Sequence, residues 1–71
     1  MRQITIIDAR MIHPRCAEIK GKTYEAVVYF TRRGEINGGY QFKPNPERYL
    51  PTEEIPASVA DAALKAYQSF S

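Results

Sequence analysis

The sequence predicts an α+β domain: a small three- to four-stranded antiparallel sheet with one C-terminal helix packed on one face. Three observations carry this reading. Residues 23–31 form a run rich in aromatic and β-branched side chains, without Gly or Pro, bounded by turn signals at Gly21 and Gly34. Val59, Ala62, Ala63, Ala66, Tyr67 and Phe70 recur at helical spacing. Between the two, Pro44, Pro46 and Pro51 each remove a backbone donor and exclude long regular elements. The chain is thus read as a single domain over 1–71, with the sheet in 1–43, a proline-rich loop in 44–56 and the helix in 57–70.

Taken in order, residues 3–8 read as a first strand, with Ile4 and Ile6 on one face and Thr5 and Ile7 on the other. Residues 9–12 continue it through a bend or bulge, because the alternation slips there. Pro14 stops it and holds His13 extended. Residues 16–19 form a short run able to pair with the central strand through a turn at Gly21. In the central run, Tyr24, Ala26, Val28 and Phe30 share the core face, and Val27 and Tyr29 fall on the other. Gly34 supplies the left-handed residue of the next turn. Residues 36–43 form the following strand. Counting alternate residues puts Ile36, Tyr40 and Phe42 on the core face, and Gln41 on the opposite one. The Gly38-Gly39 pair signals a bulge or a close backbone approach.

In the loop, Tyr49 and Leu50 are expected to anchor into the core. Residues 52–55 form one turn capped by Thr52, and Pro56 suits a first helical position. The expected core is Ile4, Ile6, Tyr24, Ala26, Val28, Phe30, Tyr40, Phe42, Leu50, Val59, Ala63, Ala66, Tyr67 and Phe70.

A chain of 71 residues is stabilised by about 3–5 kcal/mol from its core alone. With one cysteine, Cys16, it forms no intrachain disulfide, so packing or a homodimer must supply the rest. A lone cysteine fits a reducing compartment. The N-terminal residues lack the apolar region and cleavage site of a signal peptide, and no apolar run reaches membrane-spanning length. The expected location is the cytoplasm. Net charge is +2, but unevenly spread: residues 1–50 hold nine Lys/Arg against five acids, and residues 51–71 hold one against three.

No catalytic constellation emerges. His13 and Cys16 stand three apart across a proline, which does not specify the base–nucleophile geometry that a reactive thiol needs. Two such ligands do not close a metal site. Glu53 and Glu54 lie in a turn with no pocket to separate their pKa values. The glycines lack the Lys-Ser/Thr and the following helix of a phosphate loop. The sequence therefore predicts a protein that is not an enzyme and uses no cofactor or metal.

Binding is the remaining class. A sheet with one covering helix leaves its second face open. Val27, Tyr29, Thr31, Ile7 and Gln41 are expected there, beside the Arg32-Arg33 turn; Val27, Tyr29, Thr31, Arg32, Arg33 and Gln41 are the predicted partner-binding residues. Tyr and Arg are favoured at interfaces. Small chains without catalytic groups commonly occlude or adapt a larger protein machine, as inhibitors and accessory proteins of phages do. The alternative is a nucleic-acid-binding module on a basic, aromatic sheet surface. It ranks second because most aromatics are assigned to the core and the pI of 8.9 is modest.

Overall fold

A computed structural model describes residues 4–43 and 47–70 and shows a five-stranded antiparallel sheet backed by one helix. The strands β1 (Ile6–His13), β2 (Cys16–Gly21), β3 (Glu25–Phe30), β4 (Ile36–Lys43) and β5 (Arg48–Leu50) lie in the sheet in chain order. A single 3-10 turn (Thr52–Glu54) leads to α1 (Ala57–Phe70). The α+β class and the single C-terminal helix are as expected; the sheet is larger. β5 forms inside the proline-rich loop because Arg48, Tyr49 and Leu50 all keep the N–H that a proline lacks, and they pair with Gln41, Tyr40 and Gly39. Pro44 and Pro46 lie outside the described residues. The first strand begins later than expected and runs on to His13. Its irregular steps fall between Ile6 and Asp8 and between Met11 and His13.

α1 covers one face of the sheet. Under it lie Ala17 and Ile19 of β2, Ala26, Val28 and Phe30 of β3, and Tyr24 just before that strand. Leu50, Ile55, Val59 and Ala63 complete the cluster. Phe30 meets Tyr67 of α1 with ring centroids 4.7 Å apart. The alternation read from residues 23–31 thus holds. Ala17, Ile19 and Ile55 join the core although the sequence reading left them out. Ile4, Ile6 and Tyr67 pack at the core margin.

Four residues of the expected core, and the expected anchor Tyr49, are not in it. Phe42, Tyr49 and Phe70 are exposed, Ala66 is half-buried outside the cluster, and Tyr40 is half-buried on the opposite face. For β4 the reason is one extra residue. Val28 pairs with Gly39, but Phe30 pairs with Ile36, so β4 holds one residue more than β3 over the same span. Gly38 absorbs it with a left-handed φ of 79°, which other residues rarely adopt. Past this bulge the alternation is inverted. Gly39 and Gln41 face the helix side with Val28 and Ala26, and Tyr40 and Phe42 turn outward. Phe70 is the last residue of α1 and lines an open groove between the helix and β1. Thr52 does not cap its own turn: its Oγ1 accepts the Gly38 N–H at 2.9 Å, tying the turn to the bulge. Pro56 precedes α1, and its carbonyl accepts the Ala60 N–H at 2.9 Å.

Candidate functional site

The sheet face turned away from α1 falls into two halves. On β3, β4 and β5 it is aromatic. Val27, Tyr40 and Tyr49 stand directly across from one another on the three strands. Tyr29 extends the patch along β3, and Phe42 extends it along β4, edge-on to Tyr40 at 5.2 Å. Tyr29, Phe42 and Tyr49 are 42%, 40% and 58% exposed, whereas Val27 is only 8% exposed. Val27 is flanked by Tyr40 of β4 and Glu18 of β2, and Tyr29, Phe42 and Tyr49 are open to solvent. A buried aliphatic side chain bordered by exposed aromatics has the anatomy of an interface anchor.

The glycine bulge builds this patch twice over. It turns Tyr40 and Phe42 outward, and it leaves the space that the Tyr49 ring occupies. A Cβ on Gly38 would collide with the Tyr49 hydroxyl and come within 3.1 Å of its ring. An aromatic ring lying over a bare glycine on the neighbouring strand recovers contact that the glycine alone forfeits.

On β1 and β2 the same face is ionic and nearly neutral. Register places Asp8 opposite Lys20, Lys20 opposite Glu25, and Arg10 opposite Glu18. Arg10 Nε lies 3.5 Å from Glu18 Oε1, and Lys43 Nζ 3.4 Å from Glu25 Oε2. These exposed pairs set charge pattern more than stability. Among the described residues Lys20, Lys22, Lys65, Arg15, Arg32 and Arg33 make no ion pair; Lys20 and Lys22 lie toward the β2–β3 turn, and the three arginines gather at the opposite end of the sheet. There the β1–β2 turn, with Arg15, meets the β3–β4 turn, with Arg32 and Arg33, through a 2.8 Å bond from the Phe30 N–H to the Arg15 carbonyl.

Of the six residues read from the sequence as partner-binding, four lie where expected. Val27 and Tyr29 are on the open face, and Arg32 and Arg33 are exposed at the adjoining turn. Thr31 is half-buried and spends its hydroxyl inside the turn, accepting the Arg33 and Glu35 N–H groups at 3.2 Å each. Gln41 is on the helix-side face, in register with Ala26 and Arg48, because of the inverted alternation after Gly38. Tyr40, Phe42 and Tyr49 were missed as surface residues. Their one signal in the sequence is the Gly38-Gly39 pair, which marks a bulge but not its phase.

The groups weighed for chemistry sit elsewhere. The Cys16 thiol is half-buried, and burial, followed by the nearby Glu18 charge, pushes its pKa up. Reactive thiols are shifted the other way. His13 Nδ1 accepts the Arg15 N–H at 3.2 Å and so belongs to its own turn. Among the described residues no group of three His, Cys, Asp or Glu is placed to hold a metal ion, and no helix is long and apolar enough to cross a membrane. Comparison with protein-family models, with characterised proteins and with solved structures gave no match.

Proposed function

We propose that this is a small non-enzymatic protein-binding module that docks its open aromatic face on a larger cytoplasmic protein, occluding or adapting it. The observation that carries this is the patch itself: Tyr29, Tyr40, Phe42 and Tyr49 stand together beside a buried Val27 on an uncovered face. Large exposed rings gathered in one place are costly to leave in water and are typical interface anchors. Arg32 and Arg33, at the end of the same face, suit bidentate bonds to carboxylates on the partner's rim.

Nucleic acid is the second reading, favoured by the same rings. Stacking on a sheet face works together with a cationic track for the phosphates. Here Asp8, Glu18 and Glu25 offset Arg10, Lys20 and Lys43 across the face, and the other cations of the sheet are split between its two ends, Arg15, Arg32 and Arg33 at one and Lys22 at the other, with no continuous track between them. That charge pattern favours a protein.

Affinity capture with and without nuclease tests the choice. Capture by the wild-type chain is expected to survive nuclease. It is expected to weaken by about 1 kcal/mol or more with Tyr29→Ala or Tyr49→Ala, the level that marks a contributing interface residue. Capture abolished by nuclease, or unchanged in both variants while circular dichroism shows them folded, would overturn the proposal.

A further inference from the structure

Among the described residues six large hydrophobic side chains are exposed; Tyr29, Phe42 and Tyr49 belong to the aromatic patch, and Ile7, Ile12 and Phe70 lie away from it, on β1 and at the end of α1. Ile7 and Ile12 lie on β1, an outer strand of the sheet. Phe70 overhangs the same edge, where β1 and α1 bound a groove of about 510 Å³. Its floor and walls include Ala9 and Met11 from the strand, and Ala62, Ala66 and Phe70 from successive turns of the helix. An eight-residue outer strand carries a row of unpaired backbone donors and acceptors, which invites a further strand.

We propose that this edge pairs with β1 of a second copy of the chain, giving a two-fold dimer with one continuous ten-stranded sheet. Both helices would then lie on the same side, each closing the other's groove, and both aromatic patches on the opposite side. The docking reading above is independent of this dimer, which leaves the open face free.

Charge selects the partner and the register. Between the two irregular steps, β1 is regular only over residues 8–11. Antiparallel strands related by a two-fold place residues of the same face opposite each other. On the open face those residues are Asp8 and Arg10, which register sets opposite Lys20 and Glu18 of β2. Three adjacent alignments are available. Pairing Arg10 with Arg10 of the second copy, or Asp8 with Asp8, brings like charges together. The alignment between them sets Asp8 of each copy against Arg10 of the other, twice, with Ala9 facing Ala9 on the two-fold. Directly opposed unlike charges stabilise a strand pair and like charges disfavour it. The edge is therefore self-complementary in one register only. Arg10 is 3.5 Å from Glu18 of its own β2, so each Arg10 would sit between two carboxylates.

Sedimentation equilibrium on the full chain tests this with two variants, Asp8→Lys and Arg10→Glu. The wild-type chain is expected to dimerise. Either variant alone meets like charge in both symmetric contacts, and its self-association is expected to fall on the order of tenfold or more. An equimolar mixture is expected to recover the dimer, because each heterologous contact then joins opposite charges. Strain inside each chain, where the new side chain meets Lys20 or Glu18, is the same alone and mixed, so it cannot produce that recovery. The proposal is overturned if the wild-type chain stays monomeric at the highest attainable concentration, if either variant dimerises alone like the wild type, or if the mixture does not recover. It is also overturned if Tyr29→Ala dissociates the dimer, since that would place self-association on the open face.

Discussion

Tyr29 and Phe30 are neighbours in sequence and opposites in environment, so truncating each in turn tests the sheet and the candidate surface together. Phe30 is 3% exposed and stacked on Tyr67. Phe30→Ala leaves a cavity between β3 and α1 and is expected to cost about 3–5 kcal/mol. A chain of 71 residues has roughly 4–11 kcal/mol in all at typical per-residue values, so this variant should be marginal or unfolded. Tyr29 is 42% exposed. Tyr29→Ala forfeits about half the burial of a large side chain, about 1–1.5 kcal/mol, and water fills the space, so no cavity term is added. At about 4–8 °C per kcal/mol for a domain of this size, thermal melts should place Tyr29→Ala roughly 4–12 °C below wild type and Phe30→Ala well below that. Near-equal losses would mean that the two faces are wrongly assigned, and the aromatic surface with them.

Three further outcomes follow from single contacts. The Tyr24 hydroxyl is buried without a hydrogen-bond partner among the described residues, and burial pushes its pKa up, partly offset by the Arg48 charge. Tyr24→Phe is expected to raise stability by about 1 kcal/mol in urea denaturation; a loss would show that the hydroxyl is satisfied. Gly34 has φ 83°, and a Cβ there would come within 2.8 Å of the Tyr67 ring. Gly34→Ala is expected to cost about 2 kcal/mol or more, from left-handed strain plus crowding, and a melt within 2 °C of wild type would refute this. The raised pKa of Cys16 keeps its thiol protonated to higher pH in the fold than in the unfolded chain. Its contribution is therefore full below the ordinary thiol range and is lost as pH rises through that range. Cys16→Ser should lessen the fall in stability as pH rises above the ordinary thiol range and leave partner capture intact. Alkylation at pH 8 as fast as that of free cysteine would contradict the shift.

Much of the fold was legible because its local signals agree with its global packing. The alternation of residues 23–31, the helical spacing after Val59 and the left-handed turn at Gly34 all appear in the structure as read. The candidate surface was half legible. Val27 and Tyr29 follow from strict alternation, and Arg32 and Arg33 from the turn. Tyr40 and Phe42 were assigned to the wrong face because a bulge preserves composition while inverting phase, and phase is set by pairing with β3, which no local window contains. Tyr49 was misplaced for a related reason. Its exposure depends on β5 pairing with β4, a contact that the surrounding prolines argue against in sequence but do not prevent in space. Phe70 fits the helical stripe, yet the stripe does not say which of its residues the sheet covers fully and which only border the open groove beside β1.

The bulge at Gly38 has an evolutionary consequence. Tyr40 and Phe42 are large enough to serve either stability or recognition, and a single residue of strand length decides which. Deleting Gly38 would restore unbroken alternation and swing both rings beneath α1, where Ile55 and Leu50 already fill the space near Gly39. The shortened chain would lose its sticky face and gain an overfilled interior. Conversely, an ancestor without the extra residue could have acquired a recognition surface by one in-frame insertion, with no new aromatic residue required. Insertions and deletions at this point, rather than substitutions, are the mutations to which the surface is most sensitive.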